Sequence, residues 1–245
     1  MAKKEKDKAV WIYGAHSVKA VLERRPAEVS RLLVAEGQAG PRKGLASLAE
    51  KKGVKVKWAY PRELDDVCRS NAHQGVAVRA ALPEPSFIED VLDDGPAVLV
   101  ALDGITDHQN LGAIVRSAEA LGAGAVVLTR DRSASITPVV HKVSEGAVEW
   151  LPICLVTNLS RALEASQQKG YWVYAADPSG ETSIEKAKWS EKSVVVIGSE
   201  GKGIREGVLK KADFRIFIKL AGKTASLNAA QAAAIFIHAA MSAIK

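Results

Sequence analysis

A chain of 245 residues with 47% hydrophobic and 25% charged side chains has the composition of a packed globular protein, which excludes the polar, core-poor chains that stay disordered. The length is about one and a half times the usual domain, so one large or two modest domains fit. The net charge of +6 is unevenly placed: Met1 to Pro85 holds 17 basic and 10 acidic residues, whereas Ser86 to Lys245 holds 17 and 18. A basic surface confined to the first third is the footprint of a polyanion partner, since each neutralised phosphate releases condensed counterions; a lysine-rich solubilising surface gives the same count.

Cys68 and Cys154 lie far apart without a C-x-x-C neighbour, which argues against a disulfide framework, a redox pair or a zinc site and leaves buried free thiols. None of the five histidines forms an i, i+4 pair, so no metal is expected. No apolar run approaches the ~18 residues of a membrane span, and MAKKEKDKAV lacks the apolar centre of a signal peptide; a cytoplasmic location is expected.

In chain order, residues 1–9 read as a flexible basic tail. WIYGAHSVKAVLE gives a short extended entry and a helix, RLLVAE a strand, and RKGLASLAEKKG a helix closed by Gly53. VKVKWA alternates as a strand, PRELDDVC starts a helix with Pro61 at its first position, and QGVAVRAAL is a further strand. These define a compact α/β domain over 10–82. Residues 83–96, with Pro83, Pro85, Pro96 and a cluster of acids, read as a linker. Beyond it, over 97–245, AVLVALD and AVVLT are continuous apolar runs flanking the helical NLGAIVRSAEALGA, which is a βαβ unit with doubly covered parallel strands. Helical NLSRALEASQQKG and the strands YWVYAA and SVVVIG continue the rhythm. The last helix places Leu227, Ala230, Ala234, Ile237, Met241 and Ile244 on one stripe, to pack on the sheet or on another subunit.

Three loops follow strands of this second domain, where open parallel sheets bind ligands. In DGITDHQNLGAIVRS, Asn110 sits where a helix begins and Arg116 lies two turns on; taken alone they are an N-cap and a surface cation. In GSEGKG, glycines at 198, 201 and 203 permit close backbone approach to a ligand, but not in the G-x-G-x-x-G spacing of a dinucleotide fingerprint. In AGKTASLN, Gly222-Lys223-Thr224 imitates a P-loop end, yet Phe217 stands where the first glycine is required, so an NTPase, the third reading, loses its main support. Ser226 alone reads as a helix cap.

Taken together, N-L-G-A-I-V-R-S-A, V-I-G-S-E-G-K-G and I-K-L-A-G-K-T-A-S-L-N resemble the three signature motifs of the SpoU/TrmH family of SPOUT RNA ribose 2′-O-methyltransferases. YGAHSVKAVLE and HQGVAV are similar to the RNA substrate-binding domain of the family's ribosomal RNA members. The resemblance implies an L30e-like α/β domain over 10–82 and, over 97–245, a mostly parallel α/β domain with a deep trefoil knot, running from about Ser193. It implies a homodimer whose two subunits build the active site, and S-adenosylmethionine held by main-chain groups at Gly198, Ile218 and Leu227. Asn110, Arg116, Glu200, Ser226 and Asn228 match the family's polar active-site set. In that set Arg116 holds the adjacent phosphate and stabilises oxyanion character, Glu200 orients Arg116 or Asn110, and Ser226 with Asn228 positions cofactor or ribose; the proton acceptor is left open. After Asn228 the chain reads Ala-Ala-Gln-Ala-Ala-Ala where many relatives have a Val-Ser-Val-like run, a departure that bears on the terminal helix and the dimer interface.

The implied activity is methylation of a 2′-hydroxyl in structured RNA, in the pattern of bacterial enzymes acting on a guanosine of 23S rRNA, with Arg132 as an RNA contact beside the cofactor cleft. Transfer RNA or another ribosomal nucleotide is the alternative substrate. A non-catalytic RNA-binding or ribosome-assembly protein is the alternative class, against which Arg116, Glu200 and Asn228 together weigh.

Overall fold

The structure, a computed structural model, describes residues 9–37 and 41–244. The tail expected at the amino terminus lies outside them except for Ala9. By its internal contacts the chain forms two units, one of residues up to Glu84 together with Ile136–Trp150, the other of Pro85–Ser135 together with the remainder from Leu151. No helix among the described residues is long and apolar enough to cross a membrane.

In the first unit the elements run β1 (Val10–Tyr13), α1 (Ala15–Arg24), β2 (Arg31–Ala35), α2 (Pro41–Lys51), β3 (Val56–Ala59), α3 (Pro61–Cys68) and β4 (Val76–Ala80). The sheet order is β1-β4-β2-β3, with β4 antiparallel to both neighbours and β2 parallel to β3. Alternation along β2 divides the core. Leu32 and Val34 join Ile12, Val18, Leu22 and Val78 beneath α1 and α2, while Leu33 and Ala35 face Leu64 of α3. Period-2 alternation in a sheet covered on both faces thus produces two small cores rather than one wet face.

The second unit begins with α4 (Ile88–Asp94) inside the stretch read as linker. Ile88, Val91 and Leu92 stand at i, i+3 and i+4 and are buried in the core; the acids between them hide this stripe from a compositional reading. There follow β5 (Val98–Asp103), α5 (His108–Leu121), β6 (Ala125–Thr129), β7 (Ile153–Val156), α7 (Leu159–Gln168), β8 (Trp172–Ala176), β9 (Thr182–Ser183), β10 (Ser193–Gly198), α8 (Glu206–Leu209), β11 (Phe214–Phe217) and α9 (Ala229–Ala243). The seven strands pair in the order β7-β6-β5-β10-β8-β11-β9, every pairing parallel. The continuous apolar runs are the wholly buried strands β5 and β6. Helices α4, α7 and α8 share one core cluster, and α5 and α9 pack together against β5, β6 and β10.

The terminal helix departs from the expected stripe. Its buried residues are Ala229, Ala233, Phe236, Ile237 and Ala240, and Ala230, Ala234, Met241 and Ile244 are only half-buried at the margin. A helix apolar nearly all round has no face fixed by periodicity, and the large Phe236 turns it toward the sheet.

Between β6 and β7 lies α6 (Pro138–Val143) with a following 3₁₀ turn, both in the first unit. They carry a buried ionic group. Glu149 accepts hydrogen bonds from Arg25 Nε at 2.7 Å and Nη2 at 2.9 Å, and pairs with His141 Nε2 at 2.7 Å; Arg25 Nη2 also donates to the Ala81 carbonyl. Ser17 donates to the His141 carbonyl. Burial alone would push the Glu149 carboxyl up, but hydrogen bonds from Arg25 and His141, with their charges, hold it at about 2. That lies below the ordinary 4.5, so the stabilisation is complete above about pH 4.5 and is lost as pH falls toward 2. Glu149→Gln leaves Arg25 half-satisfied in a buried setting and is expected to cost about 3 kcal/mol in urea unfolding. It should also flatten the fall in melting temperature between pH 4.5 and 2.

Candidate active site

Asp107, not Asn110, caps α5: its carboxylate accepts from the Gln109 and Asn110 amides at 3.0 and 3.4 Å. Asn110 is thereby moved inside the first turn and its side chain is free for other work. Likewise Asn228, not Ser226, caps α9, with Oδ1 accepting from Ala230 N at 2.8 Å. Because Oδ1 is committed to the helix, Nδ2 is aimed outward.

That Nδ2 donates to Glu200 Oε1 at 2.6 Å and to Asn110 Oδ1 at 2.8 Å, and Asn110 Nδ2 donates to the same Glu200 oxygen at 3.0 Å. The Ala229 amide approaches it at 3.4 Å. Residues 110, 200 and 228, separated widely in the chain, therefore form a closed triangle on one carboxylate oxygen, with a helix N-terminus behind it.

The loop carrying Glu200 leaves β10 at Gly198 and folds straight back: Ser199 and Gly203 exchange backbone hydrogen bonds at 3.1 and 2.9 Å, with Gly201 and Gly203 at φ 78° and 65°. A Cβ at Gly198 would collide with the backbone of Gly203 and Ile204, which is why the motif needs glycine there.

Beside the triangle is a cavity of about 680 Å³. Gly198, Ile218, Leu227, Glu200, Ser226 and Asn228 all line it. Lys223 and Thr224 of the P-loop imitation do not, so that imitation has no role in the cavity. Arg116 also lies outside it, exposed on α5. Six residues after Asn110, its backbone sits about 120° round the helix and about 9 Å along it. Arg132 lines a different cavity.

Sequence reasoning missed Asp103. It ends β5 with a side chain fully buried, and its two oxygens accept from Arg205 N and Nε, each at 2.7 Å. That bonding raises the Arg205 guanidinium above its ordinary value. The signal available was an acid closing an otherwise apolar strand. Cys154 is buried and Cys68 half-buried, and burial pushes both thiols up to about 11. Among the described residues no three His, Cys, Asp or Glu side chains gather as a metal site.

A parallel sheet with a ligand-sized cavity at its carboxyl edge and a polar clamp at the mouth is the build of an α/β enzyme. Two family models match the chain: the SpoU rRNA Methylase family over residues 97–238, and the RNA 2′-O ribose methyltransferase substrate-binding family over residues 11–86. The chain belongs to the SpoU rRNA methylase family. The 23S rRNA (guanosine-2′-O-)-methyltransferase RlmB of Pseudomonas syringae pv. tomato is 36% identical over 236 residues, 94% of each chain. RlmB of Vibrio cholerae is 37% identical over 237 residues, 94% of this chain and 95% of its own. Among solved structures, the SpoU methyltransferase AviRb of Streptomyces viridochromogenes in complex with AdoMet superimposes with a TM-score of 0.79 at 22% identity, covering 96% of this chain and 90% of that one. The AdoMet-bound rRNA methyltransferase of Sinorhizobium meliloti gives 0.77 at 22% identity, with 96% and 88% covered. These share the fold.

Gly198→Ala should lower the melting temperature and weaken binding of any ligand of the cavity at least tenfold, because backbone rather than a flexible side chain must yield. A thermal melt and a ligand titration of the same preparation check both.

Proposed function

We propose that this protein transfers a methyl group from S-adenosylmethionine to the 2′-hydroxyl of a guanosine in 23S rRNA. The observation that carries the reading is the Asn110–Glu200–Asn228 triangle at the mouth of the cavity lined by Gly198, Ile218 and Leu227. The family assignment and the printed activity of the RlmB relatives support it.

The cavity suits the cofactor. Its volume is that of a small-molecule site, and its wall at Gly198, Ile218 and Leu227 offers backbone groups between apolar side chains, as an adenosine edge and face require. When bound, the cofactor supplies a methyl group already activated by its sulfonium. The chain's task is therefore alignment and charge control. Asn110 and Asn228 fix Glu200 in one orientation at the cavity mouth, and Ser226 presents a hydroxyl to the same space. Arg116 holds the phosphate beside the target ribose and stabilises charge developing on the 2′-oxygen; a guanidinium stays protonated and acts electrostatically.

A homodimer is the assembly this reading expects, as the family resemblance implies, with both subunits building the active site and Arg116, exposed on α5, serving it. The α9 surface, with Ile235 40% exposed, is an apolar face for such an interface. A trefoil knot over the carboxyl-terminal segment is supported by the strand order, in which β10 lies between β5 and β8, both of which precede it in sequence. The first unit, basic in sequence, is assigned the RNA grip, and its β1-β4-β2-β3 sheet covered on both faces supports an L30e-like fold. A ribosomal RNA substrate implies a cytoplasmic site of action.

Isothermal titration should show S-adenosylmethionine binding and no ATP binding; failure to bind the former refutes the reading. Arg116→Ala should reduce methyl transfer at least a hundredfold with cofactor affinity within about twofold of wild type. Asn228→Asp keeps the helix cap but sets a second carboxylate against Glu200 and should abolish transfer without unfolding α9. Tritium from labelled cofactor, incubated with RNA of a strain lacking this gene, should map to a 23S rRNA guanosine.

A further inference from the structure

A second cavity, of about 640 Å³, opens at the carboxyl ends of β6 and β7, lined by Thr129, Arg132, Thr157, Asn158, Arg205 and Gly207 among others. Three features mark it as built. Arg132 stands at φ 59°, a left-handed conformation that disfavours a non-glycine residue. The turn is locked there by Thr129, whose hydroxyl donates to the Asp131 carbonyl at 2.6 Å and meets Ser133 Oγ at 2.9 Å, and by Ala134 N donating to the Ile105 carbonyl at 2.7 Å. Arg132 so held finds no hydrogen-bond or ion-pair partner among the described residues. Backbone held in a sparsely populated region by its surroundings, presenting an unpaired side chain into a cavity, is what a ligand contact requires.

Arg205 also lines it. Buried Asp103 takes its backbone N–H, Nε and Nη2, which fixes the guanidinium plane while leaving the side chain 47% exposed. The start of α7 adds the positive end of a ten-residue helix, capped by Asn158 Oδ1 accepting from Arg161 N at 3.2 Å.

The charge count selects the ligand. Asp103 offsets Arg205, and Asp131 also lines the space, so the cavity presents forked donors at nearly neutral charge. A free phosphate or a nucleoside triphosphate, with two or more charges, needs greater compensation; a singly charged phosphodiester matched by two planar forks does not. Position supplies the source. The loop after β10 lines the first cavity with Ser199–Ile204 and the second from Arg205 onward, so a strand crossing the first cavity passes the second. We propose that this second cavity grips a backbone phosphodiester of the RNA substrate, adjacent to the reacting nucleotide, through Arg132 and Arg205. The proposal rests on the methyltransferase reading.

The test compares full-length wild type, Arg132→Ala, Arg132→Lys and Asn158→Asp on unmethylated 23S rRNA transcribed in vitro. Asn158→Asp retains the cap of α7, since Asp and Asn cap equally well, and adds one negative charge to the cavity. Arg132→Ala and Asn158→Asp should each raise KM for RNA about tenfold, with kcat and S-adenosylmethionine affinity unchanged and thermal midpoints close to wild type. Arg132→Lys should recover part of the loss. The slope of log binding constant against log salt should become shallower by about 0.7 to 0.9 for Arg132→Ala, the loss of one phosphate contact. Wild-type KM and salt slope in both Arg132→Ala and Asn158→Asp overturn the proposal while leaving the methyltransferase reading intact. Inorganic phosphate binding that depends on Arg132, with RNA KM unchanged by its removal, also overturns it by marking a free-anion site. A wild-type protein that binds no S-adenosylmethionine takes down both readings.

Discussion

One carboxylate oxygen organises the candidate site. Glu200 Oε1 accepts from Asn110 and Asn228, and through it the first turn of α5, the loop after β10 and the first turn of α9 are tied at one point. Leu111 and Ala229 bury the two helix starts, but Glu200 and Asn228 themselves are exposed, so hydrogen bonding rather than burial joins the three polar side chains. Charge-assisted hydrogen bonds to a single acceptor add to that packing and fix the polar groups at one point. The dependence also runs outward: Asn228 reaches Glu200 only because its other amide atom is spent on capping α9, so the helix start and the clamp are one structure.

Most of the second unit's sheet was legible because a parallel strand covered on both faces carries no polar alternation. AVLVALD, AVVLT and SVVVIG announce themselves by lacking charges, apart from Asp103 at the end of the first. What the pattern hid were elements whose apolar content is small or everywhere. α4 needs only three apolar residues, set among acids, and α9 is so uniformly apolar that its inner face is decided by the bulk of Phe236. Caps were misplaced by a different route. Asp107 and Asn110, like Ser226 and Asn228, are all competent caps within a few residues, and only the helix path decides which one is used.

The site residues were legible as a set, not as a geometry. Glycine-rich turns after apolar strands marked where ligands bind, and the family resemblance supplied the roles. Spacing along α5 nonetheless puts the backbone of Arg116 about 120° round the helix from Asn110, a fact of helical geometry that a motif string does not display. Buried polar pairs were invisible for a related reason. Glu149 and Asp103 sit far in sequence from Arg25 and Arg205, and no local pattern records a partnership of 124 or 102 residues' separation.

Those two buried acids show a common economy. Each is desolvated at the end of an element, and each is tolerated only because an arginine satisfies both of its oxygens. Their consequences differ with what the arginine has left to offer. Arg25 spends its remaining donors on Glu28 and the Ala81 carbonyl and is closed off, so its pair is structural. Arg205 is half exposed at the rim of a cavity, so Asp103 positions a guanidinium edge that still faces solvent. The strand end that anchors this arginine, Asp103, pairs in register with Gly198, the residue from which the Glu200 loop departs. Backbone hydrogen bonding between β5 and β10 therefore sets the Glu200 clamp and the Arg205 fork in fixed relation, and a shift of either strand by one residue would displace both together.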